Sequence, residues 1–122
     1  MSEIFVFGSN LAGRHGIGAA LYARQHHGAI YGQGEGLQGT SYGIPTRDKN
    51  IKTLPLEKIE HYISRFLNFA LNNSDMSFKV TNIGCGYAGY KVSDIAPMFK
   101  VSPKNVYLSE EFKEYNGRPS SQ

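Results

Sequence analysis

A histidine, a glutamate and two arginines stand among glycines in the first half of this chain. His15 lies between Arg14 and Gly16, and Glu35 lies alone among Gly32, Gly34, Gly36 and Gly39. A loop histidine titrates near ~6.5, so beside an anion it can serve as acid or base, or simply cap or stack on the ligand. Glu35 has the right chemistry for a general base or for a ribose hydroxyl, and equally for an exposed loop charge. Arg14 and Arg47 are the natural partners of a phosphate, because a guanidinium presents a planar fork of donors to its oxygens. Cys85 sits in a later glycine loop and reads as a small packed residue rather than a thiolate nucleophile, which needs a base and an electropositive setting. His26 and His27 fall at a helix end that favours cations, and His61 falls on the polar side of a helix.

The glycines explain why these side chains attract attention. Ten of the fourteen lie between Phe5 and Asp48. Glycine costs backbone entropy on folding, so this density implies backbone that turns sharply or lies against a ligand. An apolar run, Ile4–Phe7, stops at Gly8-Ser9-Asn10. Gly13, Gly16 and Gly18 follow, and then a helix-like run. Strand, glycine loop and helix together present free N–H groups and a positive helix end to an anion. The expectation is a phosphate-containing ligand, a nucleotide above all. The competing account is that the glycines only make tight turns.

Length and composition restrict the classes. A chain of 122 residues makes one domain, expected over residues 1–115, with a disordered tail over 116–122. The net charge of +3 suits an anionic ligand. The basic residues are scattered, so a nucleic-acid partner is not indicated. One cysteine excludes an internal disulfide and a four-cysteine metal site. No metal ligand set and no cofactor motif stands out. No apolar run reaches membrane-spanning length and no signal peptide is evident, so a cytoplasmic protein without membrane contact is expected.

Pattern predicts the elements that position the loops. Ile4–Phe7 fits a strand buried on both faces. Gly16–His27 fits a helix whose Ala19, Ala20 and Ala23 allow close packing, stopped by Gly28. Residues 29–31 read as a short strand, 32–39 as a loop, and 40–46 as a strand, at an edge because of Pro45. Pro55–Asn72 is the clearest helix, with Ile59, Ile63, Phe66, Leu67 and Ala70 in one stripe. Phe78–Ile83 is a strand leading into the loop Gly84–Tyr90. Ser93 suits an N-cap for a short helix through Phe99, and Asn105–Leu108 is a last strand. Alternating strands and helices give an α/β class with a mixed or mostly parallel sheet. Ligands in such sheets sit at the carboxyl ends of strands, where two of the glycine loops begin.

Known phosphate motifs do not fit. Gly84, Gly86 and Gly89 satisfy GxGxxG after a strand, but the loop lies near the end of the chain, where a dinucleotide fingerprint does not belong. No glycine loop is followed by the lysine and hydroxyl residue of a Walker motif.

Two stretches resemble the macro domain family, an ADP-ribose-binding α/β/α fold. Asn10-Leu11-Ala12-Gly13-Arg14-His15-Gly16-Ile17-Gly18-Ala19 is similar to the asparagine-and-glycine loop that opens that family's first ligand-facing helix. Ile83-Gly84-Cys85-Gly86-Tyr87-Ala88-Gly89-Tyr90 is similar to its phosphate-gripping loop, nearest the branch of the terminal ADP-ribose glycohydrolase and the ADP-ribose-1″-phosphatase. The chain also resembles small macro-like proteins of bacteria and their phages. The resemblance implies a compact, macro-like three-layer α/β/α domain with a mixed, mostly parallel sheet, lacking the family's first strand and the adenine-reading aspartate after it. It implies a crevice for ADP-ribose or a related nucleotide, free or on an ADP-ribosylated protein. Gly8, Ser9, Asn10, Arg14, Gly16, Ile17, Gly18, Gln33, Arg47, Gly84, Cys85, Gly86, Tyr87, Ala88, Gly89 and Tyr90 would bind it. Asn10 would meet the distal ribose, and Tyr87 or Tyr90 would lie near the ribose. The glycohydrolase's aspartate is replaced by Ala88 and its lysine falls near Arg47, whose guanidinium stays protonated. Hydrolysis of an ADP-ribose derivative would then rest on His15 and Glu35. The alternative is a non-catalytic nucleotide-sensing or sequestering module.

Overall fold

The computed structural model describes residues 2–117. Its strands are β1 (Ser2–Asn10), β2 (Gly36–Gln38), β3 (Ser41–Arg47), β4 (Met76–Val80) and β5 (Val106–Tyr107). Its helices are α1 (Gly18–His26), α2 (Leu56–Leu71), α3 (Val92–Ile95), continued by a 3-10 turn at Ala96–Phe99, and α4 (Glu110–Asn116). The sheet order is β2-β3-β1-β4-β5. β1 runs parallel to both β3 and β4, β5 is parallel to β4, and only β2 is antiparallel to its neighbour. The fold is a three-layer α/β/α arrangement around a mixed, mostly parallel sheet.

The two faces of β1 feed two cores. Ile4 and Val6 point into the larger one, with Ile59, Ile63, Phe66 and Ala70 of α2, Phe78 and Val80 of β4, and Phe99 and Phe112 from the C-terminal helices. The spacing of those four α2 residues puts them on one stripe, which is why that helix was legible. Phe7 points the other way, against Ala20 and Ala23 of α1. Those small side chains let the helix lie close to the sheet, so the first glycine loop is held directly over the end of β1.

Several elements differ from the sequence expectation. Residues 29–31 do not form a strand. The chain turns at Gly28 (φ 70°), and Ala29 N–H donates back to the Ala23 carbonyl, closing off α1. The strand nearest that place is β2, inside the stretch expected to be a loop. β3 is interior, yet β2 covers it only from Ser41 to Gly43. Pro45 lies beyond that cover, opposite Ser9 and next to a bulge at Ser9/Asn10, so its missing N–H leaves no gap in the ladder. The N-cap of α3 is Lys91 rather than Ser93, with the Asp94 carboxylate accepting from Lys91 N–H at 3.0 Å. α4 was not anticipated. It runs to Asn116, whose side chain donates to the Ala96 carbonyl at 2.8 Å, and Gly117 ends it in the left-handed region. The stretch expected to be a disordered tail therefore begins inside a helix, and residues 118–122 lie outside the described residues. No helix among the described residues is long and apolar enough to cross a membrane.

Candidate functional site

β1, β3 and β4 are adjacent and parallel, so their carboxyl ends open on one side of the sheet. A crevice of about 280 Å³ lies there. β1 contributes Gly8, Ser9 and Asn10, and β3 contributes Thr46 and Arg47. The chain leaving β4 contributes Thr81 through Ala88, and the entry to α1 contributes Arg14, Ile17, Ala19 and Ala20. Most of the residues expected to bind a ligand meet here, from loops far apart in sequence.

The electrostatics of the lining are one-signed. Arg14 and Arg47 both line the crevice, and no aspartate or glutamate does. Neither guanidinium has a carboxylate partner among the described residues. α1 enters with no side-chain cap and no acidic residue in its first turn. Its first internal bond is Leu21 N–H to the Ile17 carbonyl, which leaves the N–H groups of Gly18, Ala19 and Ala20 without an acceptor among the described residues. In the β4 loop the N–H groups of Gly86, Tyr87 and Ala88 are likewise unspent. Open donors, a positive helix end and two guanidiniums on one crevice are groups whose chemistry suits an anion.

The polar side chains of the lining mostly hold the protein itself. Asn10 brackets the first loop: its Oδ1 accepts from Arg14 N–H and its Nδ2 donates to the Arg14 carbonyl, both at 2.9 Å. Ser9 Oγ donates to the Gly34 carbonyl, and Thr46 Oγ1 donates to the Ser9 carbonyl. Asn82 Nδ2 donates to Glu111 Oε1 of α4 at 2.6 Å. Asn10 thus sets the position of Arg14 while itself lining the crevice. The β4 loop is braced from behind: Thr53 Oγ1 donates to the Ala88 carbonyl, and Tyr90 Oη donates to the Leu54 carbonyl at 2.7 Å. Tyr90 packs on the larger core and does not line the crevice, whereas Tyr87 does.

Both expected catalytic residues lie outside the crevice. His15 is fully buried against the edge of Phe7. Its Nε2 lies 2.9 Å from the Gln33 carbonyl and 3.2 Å from Gln38 Oε1. Gln38 Oε1 also accepts from Ile30 N–H, and Gln38 Nε2 donates to the Gly36 carbonyl, so the amide orientation is fixed and His15 Nε2 is the donor. Glu35 pairs with Arg65 of α2 at 2.6 Å. Gln33 spends its amide on the Glu35 and Leu37 carbonyls. The reason is that the second glycine loop packs on the first. A Cβ on Gly34 would stand 2.3 Å from the Asn10 carbonyl oxygen, and one on Gly13 would stand 2.3 Å from Gly32. Those glycines serve backbone against backbone. Gly16, Gly18 and Gly89 also stand outside the lining.

Burial pushes the Cys85 thiol up to about 11, with Glu111 and Asp94 adding to the effect, so the thiol stays protonated near neutrality. It is a packed residue, as its loop position suggested. Thr46, Thr81, Asn82, Ile83, Ala19 and Ala20 are lining residues that sequence reasoning missed. Their signal was positional: each lies within three residues of the carboxyl end of a strand or in the first turn of α1. Among the described residues no cluster of histidine, cysteine, aspartate and glutamate could hold a metal ion. No protein-family model, no curated protein and no solved structure matches this chain.

Proposed function

We propose that the crevice binds a phosphate-containing ligand of the ADP-ribose or nucleoside diphosphate kind, and that the protein holds this ligand rather than hydrolysing it. The observation that carries the reading is the convergence of Arg14, Arg47 and the uncapped start of α1 on a crevice without a carboxylate. The resemblance of the two glycine loops to macro domains points to the same ligand class. The absence of His15 and Glu35 from the lining favours the sensing or sequestering module over the hydrolase. No lining side chain is placed as a general base, and the Cys85 thiol is protonated.

Two crevice glycines add support. Gly8 and Gly86 have ordinary backbone angles, and an added Cβ would meet nothing closer than 3.6 Å at Gly8 and nothing within 4 Å at Gly86. The fold does not require glycine at either place. A ligand lying against the backbone does.

Calorimetric titration with ADP-ribose, ADP and AMP tests the reading. Binding is expected, with Arg14→Ala and Arg47→Ala each weakening it by roughly tenfold or more, the size of a charge-assisted hydrogen bond. Gly86→Ala is expected to keep the parent's unfolding midpoint and lose affinity. Incubation with ADP-ribose-1″-phosphate and with ADP-ribosylated protein is expected to yield no product. Absence of heat with all three nucleotides would remove the reading, and turnover would restore the hydrolase.

A further inference from the structure

We infer that the crevice recognises the phosphorylated pentose of its ligand and leaves the base in solvent, so that binding is indifferent to base identity. The inference rests on the reading above and narrows it.

Size is the first argument. A crevice of about 280 Å³ lies at the small end of ligand pockets, which run from about 300 to 1,000 Å³, so it encloses part of a nucleotide rather than all of it. The second argument is the state of the polar side chains. Reading a base edge takes unspent donors and acceptors held at fixed positions. The amides of Asn10 and Asn82 and the hydroxyls of Ser9 and Thr46 are already bonded to the protein. Beside Asn82 Oδ1 and the Tyr87 hydroxyl, the open groups are two guanidiniums and backbone N–H groups, which suit phosphate and sugar oxygens. The third argument is the aromatic content. Tyr87 is the one aromatic residue of the lining, and it is 68% exposed, with its ring edge beside Gly18 at the mouth. A base resting there gains stacking, which every base offers, and no edge contact.

The test titrates the full chain with inorganic phosphate, ribose 5-phosphate, ADP-ribose and its hypoxanthine analogue. The expected result is that the two nucleoside diphosphate riboses bind within about threefold of each other, that ribose 5-phosphate keeps measurable binding, and that inorganic phosphate is weaker than ribose 5-phosphate by about tenfold or more. A hypoxanthine analogue weaker than ADP-ribose by tenfold, or ribose 5-phosphate no better than phosphate, overturns this inference and leaves the ADP-ribose reading standing. Silence with all four ligands overturns both. Gly86→Ala, whose methyl meets no protein atom within 4 Å, should weaken every positive signal by about tenfold or more; full affinity in that variant places binding elsewhere and overturns the inference.

Discussion

His15 Nε2 lies 2.9 Å from the carbonyl oxygen of Gln33, eighteen residues further along the chain. That contact, with Gln38 beside it, ties the first glycine loop to the second and makes the histidine part of the scaffold behind the site. His15→Ala would remove a buried ring packed on Phe7 and leave the Gln33 carbonyl without its donor. The expected cost is about 2–4 kcal/mol of stability, measured by urea unfolding. A variant as stable as the parent would mean that the ring is not structural.

Glu35 makes the opposite prediction. Its pair with Arg65 is a surface contact, with the arginine side chain 58% exposed and the glutamate 26%. Such pairs contribute about 0–1 kcal/mol. Glu35→Gln should shift the unfolding midpoint little and leave ligand affinity unchanged in titration. A tenfold loss of affinity would place Glu35 in the site after all.

The contrast between those two residues shows what the sequence could disclose. The α2 stripe, the buried β1 run and the glycine loop after β4 were legible because each is a local pattern with one physical cause. The crevice was legible for a related reason: residues that end parallel strands must share an edge of the sheet. The roles of His15, Glu35 and Gln33 were not legible, because they depend on the second glycine loop folding onto the first. Nothing local distinguishes a glycine such as Gly34, which clears a carbonyl of Asn10, from Gly86, around which no protein atom stands within 4 Å of an added Cβ. α4 was missed because Glu110–Asn116 is short and buries only Phe112.

Gly18, just outside the crevice lining, brings the start of α1 against Tyr87 of the β4 loop. It opens α1 at φ 59°, and a Cβ there would stand 2.9 Å from the Tyr87 ring. Gly18→Ala therefore meets two penalties: the left-handed backbone, about 1–2 kcal/mol, and the ring, which can swing because it is exposed. Thermal unfolding should show a loss of that size, and adding Tyr87→Ala should recover little of it. Full recovery in the double variant would show that the ring, not the backbone angle, is what demands glycine.

Two acids set the alkaline limb of stability. The folded thiol of Cys85 is raised to about 11 and the folded phenol of Tyr42 to about 12, in both cases mainly by burial. Each holds its proton in the folded state at pH values where the unfolded chain releases it. Stability is therefore full below about pH 8 and falls as pH climbs through the folded values. Cys85→Ser should flatten the part of the fall between about pH 9 and pH 11. Alkylation of the native thiol should be slow at pH 8 and should accelerate only toward pH 11; rapid labelling at neutral pH would contradict the burial argument.

Ile51 carries the clearest backbone strain among the described residues. It is the only non-glycine residue of that set at positive φ, 63°, and it is β-branched, the class that tolerates this region least. The turn that imposes the angle is held by Asp48, whose Oδ1 accepts from Asn50 N–H at 2.8 Å and Lys52 N–H at 3.0 Å, while Ile51 N–H donates to the Asp48 carbonyl. That turn follows Arg47 directly and pairs it with Thr53, so it fixes where one of the two crevice guanidiniums leaves the sheet. Ile51→Gly removes the strain and keeps every one of those bonds, because all of them use backbone groups of the turn or the Asp48 side chain. The loss of a half-buried side chain and the extra freedom of the unfolded glycine work against the gain. The left-handed penalty of about 1–2 kcal/mol is the larger effect, so a net stabilisation of roughly 0.5–1 kcal/mol is expected in urea unfolding, with ligand affinity unchanged. A destabilised variant would show that the Ile51 side chain contributes more by packing than the backbone loses by its angle.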